Sequence, residues 1–426
     1  MASNNENLIN KRDILAAREK ARAKQDDNQW LQNQHVDLAI VVVVSLMLAS
    51  GLVMLFSASM SHSIAEIGSG TFYFLRQVLA TVLGVIVMFV LSRFNIKVFD
   101  KPLFALIAYT VSLLLLTLTL LSDPINNARR WITIPGFGAF QPSELTKVVL
   151  VYTIAVYESW LAKQRAAHII TRAPGVKGAL KDAWYDIGIP VLLLILPSVI
   201  MVMQPHFSGI IILALVAFTA LLASGLSKRS WITGVIVGII LVAIALTALF
   251  FLEPVLPENI SSKFAHVTTR LEIFSGSDAA TEAELYQSKQ ALIAIGSGGL
   301  TGVGLGQGKQ KTNYLPEVHN DYIFSSIVEE TGFLGGLFVV VLFLIFFLLG
   351  MRIAYKASSV YGQIVAAGIS TLITLQAFLN IAVNVGAIPP TGISIPFFSY
   401  GGTSNLFFLI GVGLILNVSK YGVRNR

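Results

Sequence analysis

Residues 38–58 read LAIVVVVSLMLASGLVMLFSA, twenty-one in a row without a charge. A helix of that length rises about 30 Å, the thickness of a bilayer's hydrocarbon core. It belongs to the first of ten such apolar runs, at about 37–58, 73–93, 102–122, 143–162, 187–203, 208–224, 230–252, 322–349, 361–386 and 404–423. The expected fold is all-α, a polytopic membrane protein of ten transmembrane helices. Composition agrees: of 426 residues 55% are hydrophobic and 12% charged, about half the charge of a water-soluble domain. That excludes an ordinary soluble enzyme and a disordered or fibrous chain. The absence of cysteine excludes disulfides, thiolate metal sites and cysteine nucleophiles.

Two boundaries need an argument. Only Gln204-Pro205-His206-Phe207 separates the fifth run from the sixth, and Pro205 lacks the backbone donor a continuous helix needs, so a tight turn is expected there. Leu292 to Gly308 is also apolar, but glycines at 296, 298, 299, 302, 304, 306 and 308 make it a poor lone span. It is expected as a loop lying on or dipping into the membrane.

Charge sets the orientation. With the N-terminus inside, the inner segments hold 21 Lys and Arg and the outer segments 7, while Arg76 and Lys147 sit within runs. A threefold bias places both termini in the cytoplasm. The net charge of +7 is then a topology signal, and no nucleic-acid partner is expected. Residues 1–36 read as a basic cytoplasmic tail, either solvated or a docking segment for a cytoplasmic partner. Residues 37–423 form the ten-helix domain, with one long outer loop at about 253–321 before the eighth helix. No cleavable leader is expected, the first run acting as the targeting signal.

The outer-face segments hold the unusual polar residues. Asn126 to Ile132 places Arg129 and Arg130 beside Trp131. Paired guanidiniums suit a lipid phosphate or pyrophosphate, or an ion pair with a loop carboxylate. Glu144 and Lys147, in Gln141-Pro142-Ser143-Glu144-Leu145-Thr146-Lys147, share a helix face within the outer turns of the fourth run. They read as a salt bridge, a cavity wall, or both. Gln376, Asn380 and Asn384 recur every four residues and so line one face of the ninth run, for interhelical bonding or for a groove. Glu317, His319 and Asp321 alternate before the eighth run, as a weak metal or acid–base cluster or a helix cap. The glycine run matches neither GxxxxGK[ST] nor GxGxxG and is not a nucleotide loop. Pro389 to Ser404 is rich in proline and glycine and reads as a re-entrant loop buried against protein. Ser399 within it has no Asp–His pair and is not a nucleophile.

Taken together, NNARRWI, QPSELTK, QPHFSG, IAIGSGGLTGVGLGQGKQ, YLPEVHNDYIFSSIVEETG and GISIPFFSYGGTS resemble the SEDS family, the FtsW/RodA/SpoVE proteins of bacterial cell division, elongation and sporulation. The likeness spans about residues 37–423, and YLPE with the basic N-terminal extension leans toward the FtsW branch. The resemblance implies a peptidoglycan glycosyltransferase of the bacterial cytoplasmic (inner) membrane, working on its extracytoplasmic face. It would polymerise lipid II beside a class B penicillin-binding protein transpeptidase and other divisome proteins, with a divalent cation, Mg or Mn, at a site left open.

In that chemistry a carboxylate takes the proton of the attacking sugar hydroxyl, and cations stabilise the departing polyprenyl pyrophosphate. The family places its essential Asp ten residues after an Arg and six before a Tyr. Counted from Arg270 and back from Tyr286, that position is Ala280. Asp278 is the expected base; Glu282 or Glu284 in that role, or an impaired enzyme, are the alternatives. His206 stands where many members have Asp after Gln-Pro. The expected substrate-binding set is Arg129, Arg130, Glu144, Lys147, Gln204, Arg270, Gln287, Gln290, Glu317, His319, Asp321, Asn384 and Ser399. The competing readings are a lipid II transporter and a catalytically silent scaffold of the division complex.

Overall fold

The computed structural model describes residues 36–124, 129–134, 138–172, 174–252, 282–312, 314–315 and 318–421. Each of the ten apolar runs is helical. α1 (Leu38–Ile67) starts where the Asp37 carboxylate accepts the backbone N–H groups of Ala39 and Ile40, and stops at Gly68 in the left-handed conformation. α2 (Phe72–Arg93) and α3 (Pro102–Leu118) follow, the latter opened by a proline whose missing donor costs nothing there.

A short antiparallel ribbon, β1 (Ile132–Ile134) paired with β2 (Gly138–Phe140), then leads into α4 (Pro142–Ala166). The ribbon departs from the all-α expectation, and its strands of three residues are too short to show an alternating pattern. α5 (Gly175–Ala183) passes through a π-helical turn, Trp184–Gly188, into α6 (Ile189–Met203). The expected break at Pro205 separates α6 from α7 (Phe207–Ala223), and α8 (Lys228–Leu252) follows.

α9 (Glu282–Gly298) revises the sequence reading: the first half of the glycine-rich segment is helical, and only the part beyond Gly298 is loop. Ala291-Leu292-Ile293-Ala294-Ile295 favours helix strongly enough to absorb Gly296. The loop is held by α10 (Ile323–Lys356), whose Gly332 adopts φ +73 and kinks the helix. There Val303 and Gly304 donate to the carbonyls of Glu329 and Glu330, while Phe333 and Leu334 donate to those of Gly299 and Leu300. α11 (Val360–Asn384) and α12 (Gly402–Tyr421) complete the bundle.

Among the described residues eight helical stretches are long and apolar enough to cross a membrane, and α7, with 17 residues, is shorter. Between such helices close packing, rather than hydrophobic burial, supplies the cohesion. α4 and α11 form the centre, α11 touching α10, α4, α7 and α12. The most extensive pairing joins α2 to α12, where a Cβ on Gly413 would come 2.9 Å from the Met88 carbonyl oxygen.

Candidate functional site

At one end of the bundle a cavity of about 150 Å³ is lined by Gln287 of α9, Asp321 and Tyr322 before α10, Asn380 and Val383 of α11, and Pro390, Thr391, Gly392 and Ile393 of the segment after α11. The polar face of α11 builds it. Asn380 donates through Nδ2 to the carbonyls of Asp321 (2.7 Å) and Ile393 (2.5 Å) and so ties two cavity walls together. Asn384 donates to the same Asp321 carbonyl (2.9 Å) and to Asn380 Oδ1 (2.9 Å), and accepts from the amide and hydroxyl of Ser325. α7 joins the frame through the Ser208 hydroxyl, which donates to the Thr391 carbonyl.

One turn along the stripe from Asn380, Gln376 meets the fourth helix. Its Oε1 accepts from Lys147 Nζ (2.6 Å), and its Nε2 donates to Glu144 and to the Ser394 carbonyl (both 3.3 Å). Lys147 also pairs with Glu144 at 2.7 Å, and all three side chains are buried. A buried pair with this many hydrogen bonds is a rigid charged wall next to the cavity.

The structure brings Gln287, Asp321 and Asn384 to the cavity or its frame, with Glu144 and Lys147 behind it. Gln290 lies three residues along α9 from Gln287, half-buried. Arg130 turns elsewhere: it donates to the carbonyls of Gln204 and Pro205, bracing the turn between α6 and α7. Gln204 donates to Leu116 O and Thr119 Oγ1 in the same brace, and Arg129 donates to Leu120 O. Ser399 spends its hydroxyl on the Asn320 carbonyl and on the Ile395 amide. Arg270, Asp278 and Glu317 lie outside the described residues. Among the described residues no three of His, Asp and Glu converge to hold a metal ion.

His319 is 4% exposed and points into a cluster of rings rather than the cavity: His62, Tyr73 and Tyr400 surround it. Burial, reinforced by neighbouring His62 and opposed by Glu66, holds its pKa down to about 4. Sequence reasoning missed His62, Glu66, Tyr73 and Gln77. Of these only Gln77, a lone amide in an apolar run, carried a signal. It donates to the Ser399 carbonyl and accepts the Gly401 amide, pinning the segment between α11 and α12.

The architecture is that of a helical membrane protein with a polar chamber framed by the segment between α11 and α12. The chain belongs to the FtsW/RodA/SpoVE family, described as cell cycle proteins, whose model matches residues 37–423. Among its relatives, a probable peptidoglycan glycosyltransferase FtsW of Nitrosomonas europaea is 33% identical, covering 92% of this chain and 94% of that one. The stage V sporulation protein E of Bacillus subtilis is 31% identical over 90% and 97%. In fold the chain is similar to a chain of a peptidoglycan synthase complex that coordinates polymerization and crosslinking (TM-score 0.67, 24% identity, 90% of this chain and 98% of that one). It is also similar to the rod shape determining protein RodA of Thermus thermophilus (TM-score 0.60, 24% identity, 92% and 99%).

Proposed function

We propose that the chain is a peptidoglycan glycosyltransferase that polymerises lipid II into glycan strands. The observation that carries this reading is the polar chamber of Asp321, Asn380 and Gln287 backed by the Glu144–Lys147–Gln376 wall, in a chain whose relatives over nine-tenths of its length bear that name. The topology we infer has ten spans, with α7 and α8 as the sixth and seventh. Both termini are cytoplasmic, and the chamber opens on the outer face of the bacterial cytoplasmic membrane. The excess of Lys and Arg in the inner segments supports it.

In this reading Asp278, on the outer loop, takes the proton from the sugar hydroxyl that attacks the anomeric carbon, and the polyprenyl pyrophosphate leaves. The fixed ammonium of Lys147 lowers the cost of negative charge developing nearby. Among the described residues Asp321 is the one acidic side chain lining the chamber. A Mg or Mn ion there would need further oxygen ligands, with Asp278 and Glu317 as candidates to supply them. The partner is a class B penicillin-binding protein, whose transpeptidase activity would crosslink the strands within a division complex.

Purified chain in detergent, given lipid II and Mg, is expected to make long glycan chains, and Asp278→Asn to abolish them. Failure of the unmodified protein with its cognate transpeptidase present would overturn the reading. Transfer of labelled lipid II across sealed vesicles without polymerisation would replace it with a transporter.

A further inference from the structure

Neither α1 nor α2 contributes a residue to the chamber lining, yet the hairpin they form grips the turn that carries Asp321. The Glu66 carboxylate bridges the two helices: one oxygen pairs with His62 Nε2 (3.2 Å), the other accepts the Tyr73 hydroxyl (2.7 Å). Held this way, both rings pack on His319, each with its centroid 4.8 Å away, and Tyr73 also meets Tyr400 edge-on at 4.8 Å.

His319 is the meeting point of the frame. Its carbonyl accepts the Tyr400 amide (2.8 Å), the next carbonyl accepts the Ser399 hydroxyl (2.7 Å), and Asp321 follows two residues on. Among the described residues its buried Nδ1 has no hydrogen-bond partner, and ring contacts orient the imidazole. Aromatic pairs at such separations contribute orientation as well as area.

We propose that His62 and Tyr73 are positioning residues for the reaction, fixing through His319 the turn that presents Asp321 to the chamber. The proposal rests on the glycosyltransferase reading for its activity assay, so a second measurement is independent of it. In full-length protein, His62→Leu and Tyr73→Leu are expected to lower kcat for lipid II by about ten- to a hundredfold, with KM changed by no more than about threefold. His62→Phe, which keeps a ring, is expected to restore most of the loss. Hydrogen–deuterium exchange over residues 318–322 and 395–401 is expected to speed up by about tenfold in the Leu variants and not in His62→Phe. Unchanged kcat overturns the proposal, as does a loss that follows only the amount of folded protein. Unchanged exchange overturns it even if the unmodified protein makes no polymer, an outcome that would count against the glycosyltransferase reading alone.

Discussion

Lys147 is 1% exposed and its ammonium has two partners, Glu144 and Gln376. Lys147→Met would leave the Glu144 carboxylate buried without its cation, and breaking such a pair from one side costs about 3–5 kcal/mol. Thermal unfolding in detergent should show the loss, and Glu144→Gln combined with Lys147→Met should recover part of it, since the double change leaves no unpaired charge. His319 gives a pH prediction. Its folded-state pKa of about 4 lies below the ordinary 6.5, so the unfolded chain binds the extra proton. The stability it contributes is therefore complete above pH 6.5 and is lost as pH falls from there toward 4, by up to about 3 kcal/mol. The groups facing it are His62 and Glu66 of α1, Tyr73 of α2 and Tyr400 of the segment between α11 and α12. Melting curves at pH 7 and pH 4.5 should diverge less in His319→Phe than in the unmodified protein.

At the scale of elements, the segment between α11 and α12 is held from several sides: by Gln77 of α2, by Gln376 and Asn380 of α11, and by the bare backbone of α1 at Gly51. A Cβ on Gly51 would overlap the carbonyl oxygen of Phe397. Backbone cannot yield as a side chain can, so Gly51→Ala is expected to cost about 1–3 kcal/mol, read as a lower midpoint of thermal unfolding. Gly68→Ala, at a left-handed cap with nothing within 4 Å of a new Cβ, is the comparison that isolates backbone conformation from crowding. The sequence made some of this frame legible and hid the rest. A four-residue spacing revealed the polar face of α11, because helical geometry needs no partner to be seen. What those amides hold, the carbonyls of Asp321, Ile393 and Ser394, left no trace, since every residue has a carbonyl. For the same reason the sequence, which offered Arg130 a phosphate or a loop carboxylate, did not show the backbone oxygens of residues 204 and 205 to which it donates.

Across the whole molecule, apolar length located the ten runs that fold as helices, but neither α5 nor the helical start of the glycine-rich segment, where propensity and tertiary contact compete. The inferred orientation is open to test because the chain has no cysteine. A single cysteine at Thr133, exposed on β1, should react with a membrane-impermeant maleimide in intact cells. One at Lys177, exposed on α5, should react only after the membrane is opened, and the reverse pattern would invert the topology. The dominant pairing of α2 with α12 has a bearing on how the protein is made. α2 leaves the ribosome early and its main partner is the last helix of the structure, so throughout synthesis the face bearing Thr81, Gly84 and Met88, which meets Asn405, Leu409 and Gly413 of α12, faces lipid unmatched. The bundle cannot be completed in halves. A premature stop anywhere before residue 402 therefore yields not a shorter working protein but an orphan helix for membrane quality control to destroy.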